Sequence, residues 1–68
     1  MLSARNQLPA IVKEVKSGGI MAEVIMVVDG KFEIVAVITR DSAERLALEV
    51  GDQVTAIVKA TEVLVSKG

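Results

Sequence analysis

The chain has 68 residues, 51% of them hydrophobic, and it contains neither cysteine nor histidine. Because a chain this short lies near the lower size limit for independent folding, it normally needs disulfides, a metal or partner subunits as support. The missing thiols and imidazoles exclude disulfides, structural zinc, haem, iron–sulfur clusters and Cys- or His-based catalysis. Eight basic and nine acidic residues give a formal charge of -1, which disfavours nucleic-acid binding. We therefore expect one domain over residues 1–68 that is supported by self-association.

The hydropathy pattern gives no indication of a membrane protein. The longest apolar stretch, Ile20 to Val28, is interrupted by Glu23 and is far shorter than the roughly 20 residues that a helix needs to span a bilayer. The first residues lack the charged start, apolar centre and small-residue cleavage site of a signal peptide. We expect a cytoplasmic location and no membrane partner.

The first half of the chain predicts three strands, because valine and isoleucine dominate its apolar residues and favour pleated structure. A first strand from about Asn6 to Lys16 is followed by a turn in which Gly18 and Gly19 supply positive φ angles. The second strand is apolar on both faces, which is expected when one face meets the core and the other meets another subunit. Asp29-Gly30 then predicts a hairpin turn. Strands two and three are predicted at Ile20–Val28 and Lys31–Thr39.

The second half of the chain predicts one short helix and two more strands. Asp41 and Glu44 are spaced as a capping box, with Asp41 as N-cap, before a helix that continues to Leu48. Alternating apolar residues then predict strands at Gln53–Ala60 and Glu62–Val65. The fold class is therefore all-β: a small five-stranded OB-like Greek-key barrel with one short helix between strands 3 and 4.

The side chains offer no catalytic constellation. There is no triad and no pair of neighbouring acids, and the glutamates are spread along the predicted elements at solvent-exposed positions. The three aspartates occupy expected turn or cap positions, so a free metal cation has no cluster of oxygen ligands. We expect a protein that is not an enzyme and has no cofactor.

Several polar residues without an evident structural role are hydrogen-bond donors, and they lie near the two ends of the chain. They are Ser3, Arg5 and Asn6 at the start and Lys59 and Thr61 near the end. A set of donors suits a small, fully ionised oxyanion, held by cationic side chains, hydroxyls and backbone N–H groups. Phosphate partly carries a proton at neutral pH, and that proton would find no acceptor in such a site. Sulfate has the charge and shape of molybdate or tungstate, so cavity size must separate them, and composition and spacing alone do not name the function.

Three segments of the sequence resemble the molbindin family, the small molybdate-binding Mop proteins with TOBE-type domains. They are Ser3-Ala4-Arg5-Asn6-Gln7-Leu8, Ile38-Thr39-Arg40-Asp41-Ser42 and Lys59-Ala60-Thr61. The resemblance covers essentially the whole chain. It implies an OB-like barrel assembled as a hexamer, a trimer of dimers, that binds molybdate or tungstate at subunit interfaces.

The resemblance also implies roles for individual residues. Ser3 and Thr39 would contribute hydroxyls, with Thr39 coming from the neighbouring subunit. Arg5 would contribute through its backbone or its charge, and Lys59 would supply a cation. Ala4 and Ala60 would offer backbone N–H groups. A second class of oxyanion site, near a threefold axis, would involve Gly19, Ile20 and Met21, where Met21 replaces a hydroxyl residue often found there.

Three functions from different classes therefore compete. The first is a cytoplasmic protein that stores or buffers molybdate or tungstate. The second is an OB-type nucleic-acid module, for which Phe32 is the only aromatic residue available for base stacking. The third is a purely structural or regulatory assembly domain.

Overall fold

The structure is a computed structural model that describes residues 5–68. Most of this part of the chain is antiparallel sheet, with one short helix between the third and fourth strands. The elements are β1 (Asn6–Ser17), β2 (Met21–Val28), β3 (Phe32–Thr39), α1 (Arg40–Arg45), β4 (Gln53–Val58) and a 3-10 turn (Ala60–Glu62). The predicted order of three strands, a helix and a further strand is confirmed.

The four strands form one sheet in the order β3-β2-β1-β4, and every neighbouring pair is antiparallel. The long central strand β1 carries a bulge between Val12 and Glu14, where its register with β2 shifts. At this bulge the loop before β4 bonds both backbone groups of Val12: Val12 N–H donates to the Asp52 carbonyl (2.9 Å), and Gly51 N–H donates to the Val12 carbonyl (2.8 Å). A bulge bends a strand and increases its twist, so β1 can pair with β2 along one part and β4 along another.

The core lies on one face of this curved sheet. Alternate residues of β2 are buried while their neighbours are partly exposed, which is the period of two expected for a strand with one face on the core. Val12 is the most deeply buried of the large side chains, at 1% exposure. The buried cluster consists of Ala10, Val12, Val24, Met26, Val28 and Ala56.

The hairpin between β2 and β3 forms where Asp29-Gly30 predicts it. Asp29 and Gly30 both have positive φ angles, 59° and 64°, and Lys31 N–H donates to the Val28 carbonyl (3.0 Å). The turn after β1 has a different conformation from the prediction. Among the glycines, only Gly30 and Gly51 adopt positive φ in the described residues, so the expected positive φ angles at Gly18 and Gly19 are wrong, and a bond from Gly18 N–H to the Met21 carbonyl (2.8 Å) closes this turn instead.

The helix α1 begins directly at the end of β3, two residues earlier than predicted. Thr39 is its N-cap, and the Thr39 Oγ1 accepts a hydrogen bond from Ser42 N–H (3.1 Å). The predicted cap, Asp41, lies inside the first turn, where its carboxylate is 3.7 Å from Arg45, and Glu44 pairs with Arg40 (3.1 Å). The predicted capping box is therefore wrong, because the N-cap role belongs to the last residue of the preceding strand.

The predicted fifth strand is not formed by the described chain. The fourth strand ends at Val58, Ala60–Glu62 form a 3-10 turn, and residues 63–68 have no regular structure. Leu64 and Val65 are 94% and 93% exposed. Among residues 5–68, strands β3 and β4 are consequently the two unpaired edges of an open four-stranded sheet, and no closed five-stranded barrel forms.

Candidate functional site

The ladder between β1 and β4 brings the two ends of the chain together. Asn6 is paired with Val58, so continuing this register by one residue places Arg5 opposite Lys59. Residues opposite each other in an antiparallel pair share one face of the sheet, and like charges at such positions repel. Arg5 and Lys59 therefore both adjoin the end of the sheet where β1 begins and β4 ends.

No carboxylate neutralises these two cations in the described part of the chain. The ion pairs of residues 5–68 use Lys13, Lys16, Arg40 and Arg45. Both Arg5 and Lys59 are exposed. A bound anion would offset the repulsion between the two cations. It would also accept charge-assisted hydrogen bonds from them, which are about twice as strong as neutral ones.

Backbone donors adjoin the same place. Lys59 precedes the 3-10 turn and makes no side-chain capping bond to it. The turn is closed by Glu62 N–H donating to the Lys59 carbonyl (2.9 Å), whereas the N–H groups that open such a turn have no acceptor within it. The N–H of Ala60, the first residue of this turn, is thus a backbone donor without an acceptor inside the turn. Ser3 and Ala4, the other predicted site residues at this end, lie outside the described residues.

Thr39 lies elsewhere in the sheet. It is paired with Met21 at the far end of the β2–β3 ladder, whereas Arg5 and Lys59 adjoin the first pair of the β1–β4 ladder. Arg5, Lys59 and Ala60 therefore follow or precede the Asn6–Val58 end of the sheet, whereas Thr39 lies at the other end of the strands. Thr39 is instead a neighbour of the Gly19, Ile20 and Met21 segment that was predicted as a second site.

The hydroxyl of Thr39 is already engaged. Its Oγ1 donates to Ser42 Oγ (2.7 Å) while accepting from Ser42 N–H. Because a hydroxyl has a single proton, Thr39 can donate to a ligand only if its hydrogen bond to Ser42 Oγ breaks. The Ser42 hydroxyl accepts the bond from Thr39 and keeps its own proton available, so Ser42 is a donor that the sequence reasoning missed, although the Thr-x-x-Ser spacing was visible.

In the segment Gly19-Ile20-Met21, the first two residues form an exposed bend next to the start of α1, and Met21 begins β2. Arg40 N–H donates to the Ile20 carbonyl (2.7 Å). The Ile20 side chain is 80% exposed and that of Met21 is 44% exposed. No charged side chain belongs to this segment, so its own contribution to an anion would be backbone N–H groups only.

A separate groove lies between the unpaired edges of β3 and β4. It encloses about 630 Å³ and is lined chiefly by aliphatic side chains of both edges. Its apolar walls, which include Ile34, Ala36 and Ile38 of β3 and Val54, Ala56 and Val58 of β4, suit a further strand.

No group of three or more Asp, Glu, His or Cys side chains gathers as a cation site within residues 5–68. No helix in the described part of the chain has the length and hydropathy to cross a membrane.

This fold defines a class of small antiparallel β domains that contain one short helix. Here, two exposed cationic residues adjoin the end of the sheet where β1 begins and β4 ends. The chain belongs to the TOBE domain family, whose model matches residues 2–65. Molybdenum-pterin-binding protein 1 of Clostridium pasteurianum is 41% identical over 64 residues, which are 94% of this chain and 94% of that protein. The molybdenum transport protein ModE of Azotobacter vinelandii is 45% identical over 94% of this chain but only 24% of its own length.

Solved structures agree with this assignment. A molybdate-binding protein from Sporomusa ovata superposes with a TM-score of 0.94 at 51% identity, over 98% of each chain. The cytoplasmic molybdate-binding protein ModG gives a TM-score of 0.84 at 37% identity, over 88% of this chain and 43% of its own. The resemblance inferred from the sequence is thereby confirmed.

Proposed function

We propose that this chain is a non-enzymatic, cytoplasmic binding protein that stores or buffers molybdate or tungstate at the subunit interfaces of a homo-oligomer, with residues 1–68 acting as one domain. The observation that carries this proposal is the pairing of Asn6 with Val58, because the same register continued by one residue would set Arg5 opposite Lys59, two exposed cations that form no ion pair within residues 5–68. The molybdate-binding and molybdenum-transport names of its relatives support the choice of anion.

The chemistry of the donors supports a fully ionised tetrahedral oxyanion. Arg5 and Lys59 would supply two positive charges, the Ala60 N–H a backbone donor, and Ser3 and Ala4 a hydroxyl and a second N–H group. A bound dianion would accept from every one of these groups and would need to donate to none. Hydrogenphosphate would leave its own proton unpaired, and the buried, unmade bond would weaken its binding.

The open groove between β3 and β4 supports self-association. Val63 has extended φ and ψ angles, -91° and 125°, and the residues after it are apolar but exposed in the described chain. We propose that the segment Val63–Val65 of a second copy enters the groove, pairs with both edges and completes a five-stranded OB-like barrel. A reciprocal exchange would bury these side chains and the groove walls together.

A site between copies would also recruit Thr39. Because Thr39 lies at the other end of the strand ladder from Lys59, we propose that the Thr39 and Ser42 hydroxyls reach the anion from the neighbouring subunit. A hexamer built as a trimer of dimers is the assembly that we propose. Its second class of site, near a threefold axis, would use the backbone of Gly19, Ile20 and Met21.

Isothermal titration calorimetry tests the proposal directly. The chain should bind molybdate or tungstate, with sulfate at least tenfold weaker and phosphate without measurable heat. Replacing Lys59 with methionine should weaken molybdate binding by about 10- to 100-fold, because a hydrogen bond to a charged group contributes about 1.5–3 kcal/mol. Lys31→Met is the matched control, since Lys31 lies in the β2–β3 turn and should leave binding unchanged.

Other outcomes would favour the competing functions. Absence of molybdate binding, or sulfate binding as tight as that of molybdate, would refute the proposed storage function. An oligomer that persists without binding any oxyanion would indicate a purely structural or regulatory assembly domain. A salt-dependent gel shift would revive the nucleic-acid module, although Phe32, at 52% exposure, would be its sole stacking residue.

A further inference from the structure

The turn between β2 and β3 contains the dipeptide Asp29-Gly30, in which a side-chain carboxyl group and the next backbone nitrogen can close a five-membered ring. Ring closure requires that the nitrogen can be approached, that its N–H is not held by an acceptor, and that the carboxyl group is free to turn toward it. Glycine favours the approach because it has no side chain beside its nitrogen. A Cβ atom added at Gly30 would meet no atom within 4 Å, so this residue is surrounded by open space.

Neither reacting group of this dipeptide is engaged within residues 5–68. Asp29 and Gly30 are both exposed. The Asp29 carboxylate takes part in none of the side-chain hydrogen bonds or ion pairs of this range. Outside the β2–β3 ladder, one backbone hydrogen bond closes the turn, and its donor is Lys31 N–H rather than Gly30 N–H. Because local opening of this turn disrupts few buried contacts, it costs little free energy.

The other two aspartates of the chain lack this combination. Asp41 lies in α1, where the next nitrogen, that of Ser42, donates a hydrogen bond to Thr39 Oγ1 (3.1 Å). The carboxylate of Asp52 accepts a hydrogen bond from Glu49 N–H (2.9 Å). Of the three aspartates, the one in the β2–β3 turn alone combines an unengaged carboxylate with an unengaged nitrogen in the described range.

We propose that Asp29 is a site of spontaneous modification, at which the backbone nitrogen of Gly30 converts it to isoaspartate through a cyclic succinimide. The nitrogen attacks Cγ of the protonated Asp29 carboxyl group and forms a C–N bond. The bond between Cγ and the hydroxyl breaks, and the hydroxyl leaves as water with the proton of the N–H group.

Hydrolysis of the succinimide completes the conversion without an oxidant or a reductant. Water adds to the main-chain carbonyl carbon of Asp29 and breaks its bond to the Gly30 nitrogen, which takes up a proton. The chain then continues through Cγ, and the former main-chain carbonyl is a free carboxylate. Addition of water to Cγ instead restores aspartate. The isoaspartyl carboxylate is the chemical class of substrate that isoaspartyl methyltransferases esterify with S-adenosylmethionine.

Isoaspartate would disrupt the hairpin because it lengthens the main chain by one atom. Lys31 N–H and the Val28 carbonyl are 3.0 Å apart across the turn, and Val28 is paired with Phe32. An additional methylene carbon enlarges the ring that this hydrogen bond closes. Val28 is 6% exposed, so fraying of this pair exposes part of the core. The reaction uses neither Arg5 nor Lys59, and the inference therefore does not rest on the proposed oxyanion function.

Incubation of the folded full chain in water enriched in heavy oxygen tests the proposal. Trypsin cleaves after lysine and arginine and places the three aspartates on separate peptides, 17–31, 41–45 and 46–59. Mass spectrometry should show heavy oxygen accumulating on peptide 17–31 at least about tenfold faster than on the other two, the factor that one hydrogen bond of a charged group is worth. The same samples should accept methyl groups from S-adenosylmethionine when an isoaspartyl methyltransferase is added.

Three variants locate the reaction. Asp29→Glu would have to close a six-membered ring, which forms much more slowly, and should remove the methyl acceptor. Asp41→Glu is the matched control and should leave the labelling of peptide 17–31 unchanged. Asp29→Asn should react faster than the wild type, because ammonia leaves from the amide without prior protonation of a carboxylate.

The outcomes that would overturn the proposal are equally specific. They are a wild type that gains no label on peptide 17–31, equal labelling of the three aspartate peptides, and methyl acceptance that persists in Asp29→Glu. In the modified fraction of the wild type, hydrogen exchange of the Lys31 amide should be at least about tenfold faster, because this amide loses its acceptor. Unchanged exchange would refute the expected damage to the hairpin.

Discussion

Replacing Ala47 with glycine should stabilise this chain, because the end of α1 holds Ala47 in a conformation that favours glycine. The Ala47 φ angle is 52°. Around it, Ala47 N–H donates to the Glu44 carbonyl (3.0 Å) and Leu48 N–H donates to the Ala43 carbonyl (3.3 Å). These two bonds form a Schellman motif, in which the residue at the position of Ala47 is most often glycine.

The expected gain is the difference between two opposing effects. A left-handed conformation costs an L-residue about 1–2 kcal/mol, which glycine would avoid. The greater freedom of glycine in the unfolded chain lowers the free energy of unfolding by about 0.4–1 kcal/mol and so reduces this gain. The Ala47 methyl group is exposed, so its loss removes little packing. The net gain is about 0.5–1 kcal/mol, which corresponds to a rise of about 3–6 °C in the unfolding midpoint of a domain of this size.

Thermal unfolding at fixed protein concentration measures the effect, and two variants serve as controls. Ala43→Gly removes a side chain that is 6% exposed inside the same helix, and its free energy of unfolding should fall by about 2 kcal/mol. Gly30→Ala adds a methyl group that would meet no atom within 4 Å but would retain positive φ, so it should lose about 1 kcal/mol. If Ala47→Gly lowers the midpoint as Ala43→Gly does, the backbone argument is refuted.

Four further predictions follow from single contacts or from association. Val12→Ala truncates a side chain that is 1% exposed, and urea unfolding should show a loss of about 2 kcal/mol. Thr39→Val deletes the oxygen that accepts from Ser42 N–H and should lose about 1 kcal/mol in the same assay, whereas Thr39→Ser should retain most of the stability. The hydrogen bond and charge of Glu33 raise the pKa of Lys13, so an NMR titration of Glu33→Gln should show the Lys13 pKa falling toward its ordinary value. In the wild type, the stabilising attraction between Lys13 and Glu33 is fully present below the ordinary lysine pKa. It is lost as the pH rises through the raised pKa of Lys13. The unfolding midpoint should rise by several degrees for each tenfold increase in protein concentration, because association stabilises the folded chain by mass action, and a constant midpoint would contradict self-association.

Local patterns predicted most of the strands correctly because their signals depend on few residues. Asp29-Gly30 requires only that two adjacent residues accept positive φ, and both do. The helix boundary was harder, because Thr39 and Asp41 are both good N-cap residues and lie two positions apart. Strand β3 continues to Thr39, and this leaves the Thr39 Oγ1 within reach of Ser42 N–H. The N-cap residue of α1 is therefore determined by strand pairing, which cannot be read from the sequence alone.

The fifth strand and the site could not be predicted from local pattern alone. Val63 to Val65 have the β-branched and aliphatic character of a strand, but a strand forms only where unpaired edges are within reach. For the site, the sequence suggested Arg5 and Lys59 from their residue types and from the family resemblance. Only the register that pairs Asn6 with Val58 shows that residues so distant in the chain adjoin the same end of the sheet.

The distribution of apolar side chains connects the fold to its proposed function. In the described chain, the buried core has Met26 as its largest side chain, and half of its members are alanine; the set is Ala10, Val12, Ala22, Val24, Met26, Val28, Ala43 and Ala56. Larger apolar side chains such as Leu64 remain on the surface, and burying one of them contributes about 1.5–3 kcal/mol. If copies associate as proposed, much of the available stabilisation would lie between them. If the oxyanion also binds between copies, its binding and their association must strengthen each other to the same degree, so the chain would hold its anion most tightly when it is fully assembled.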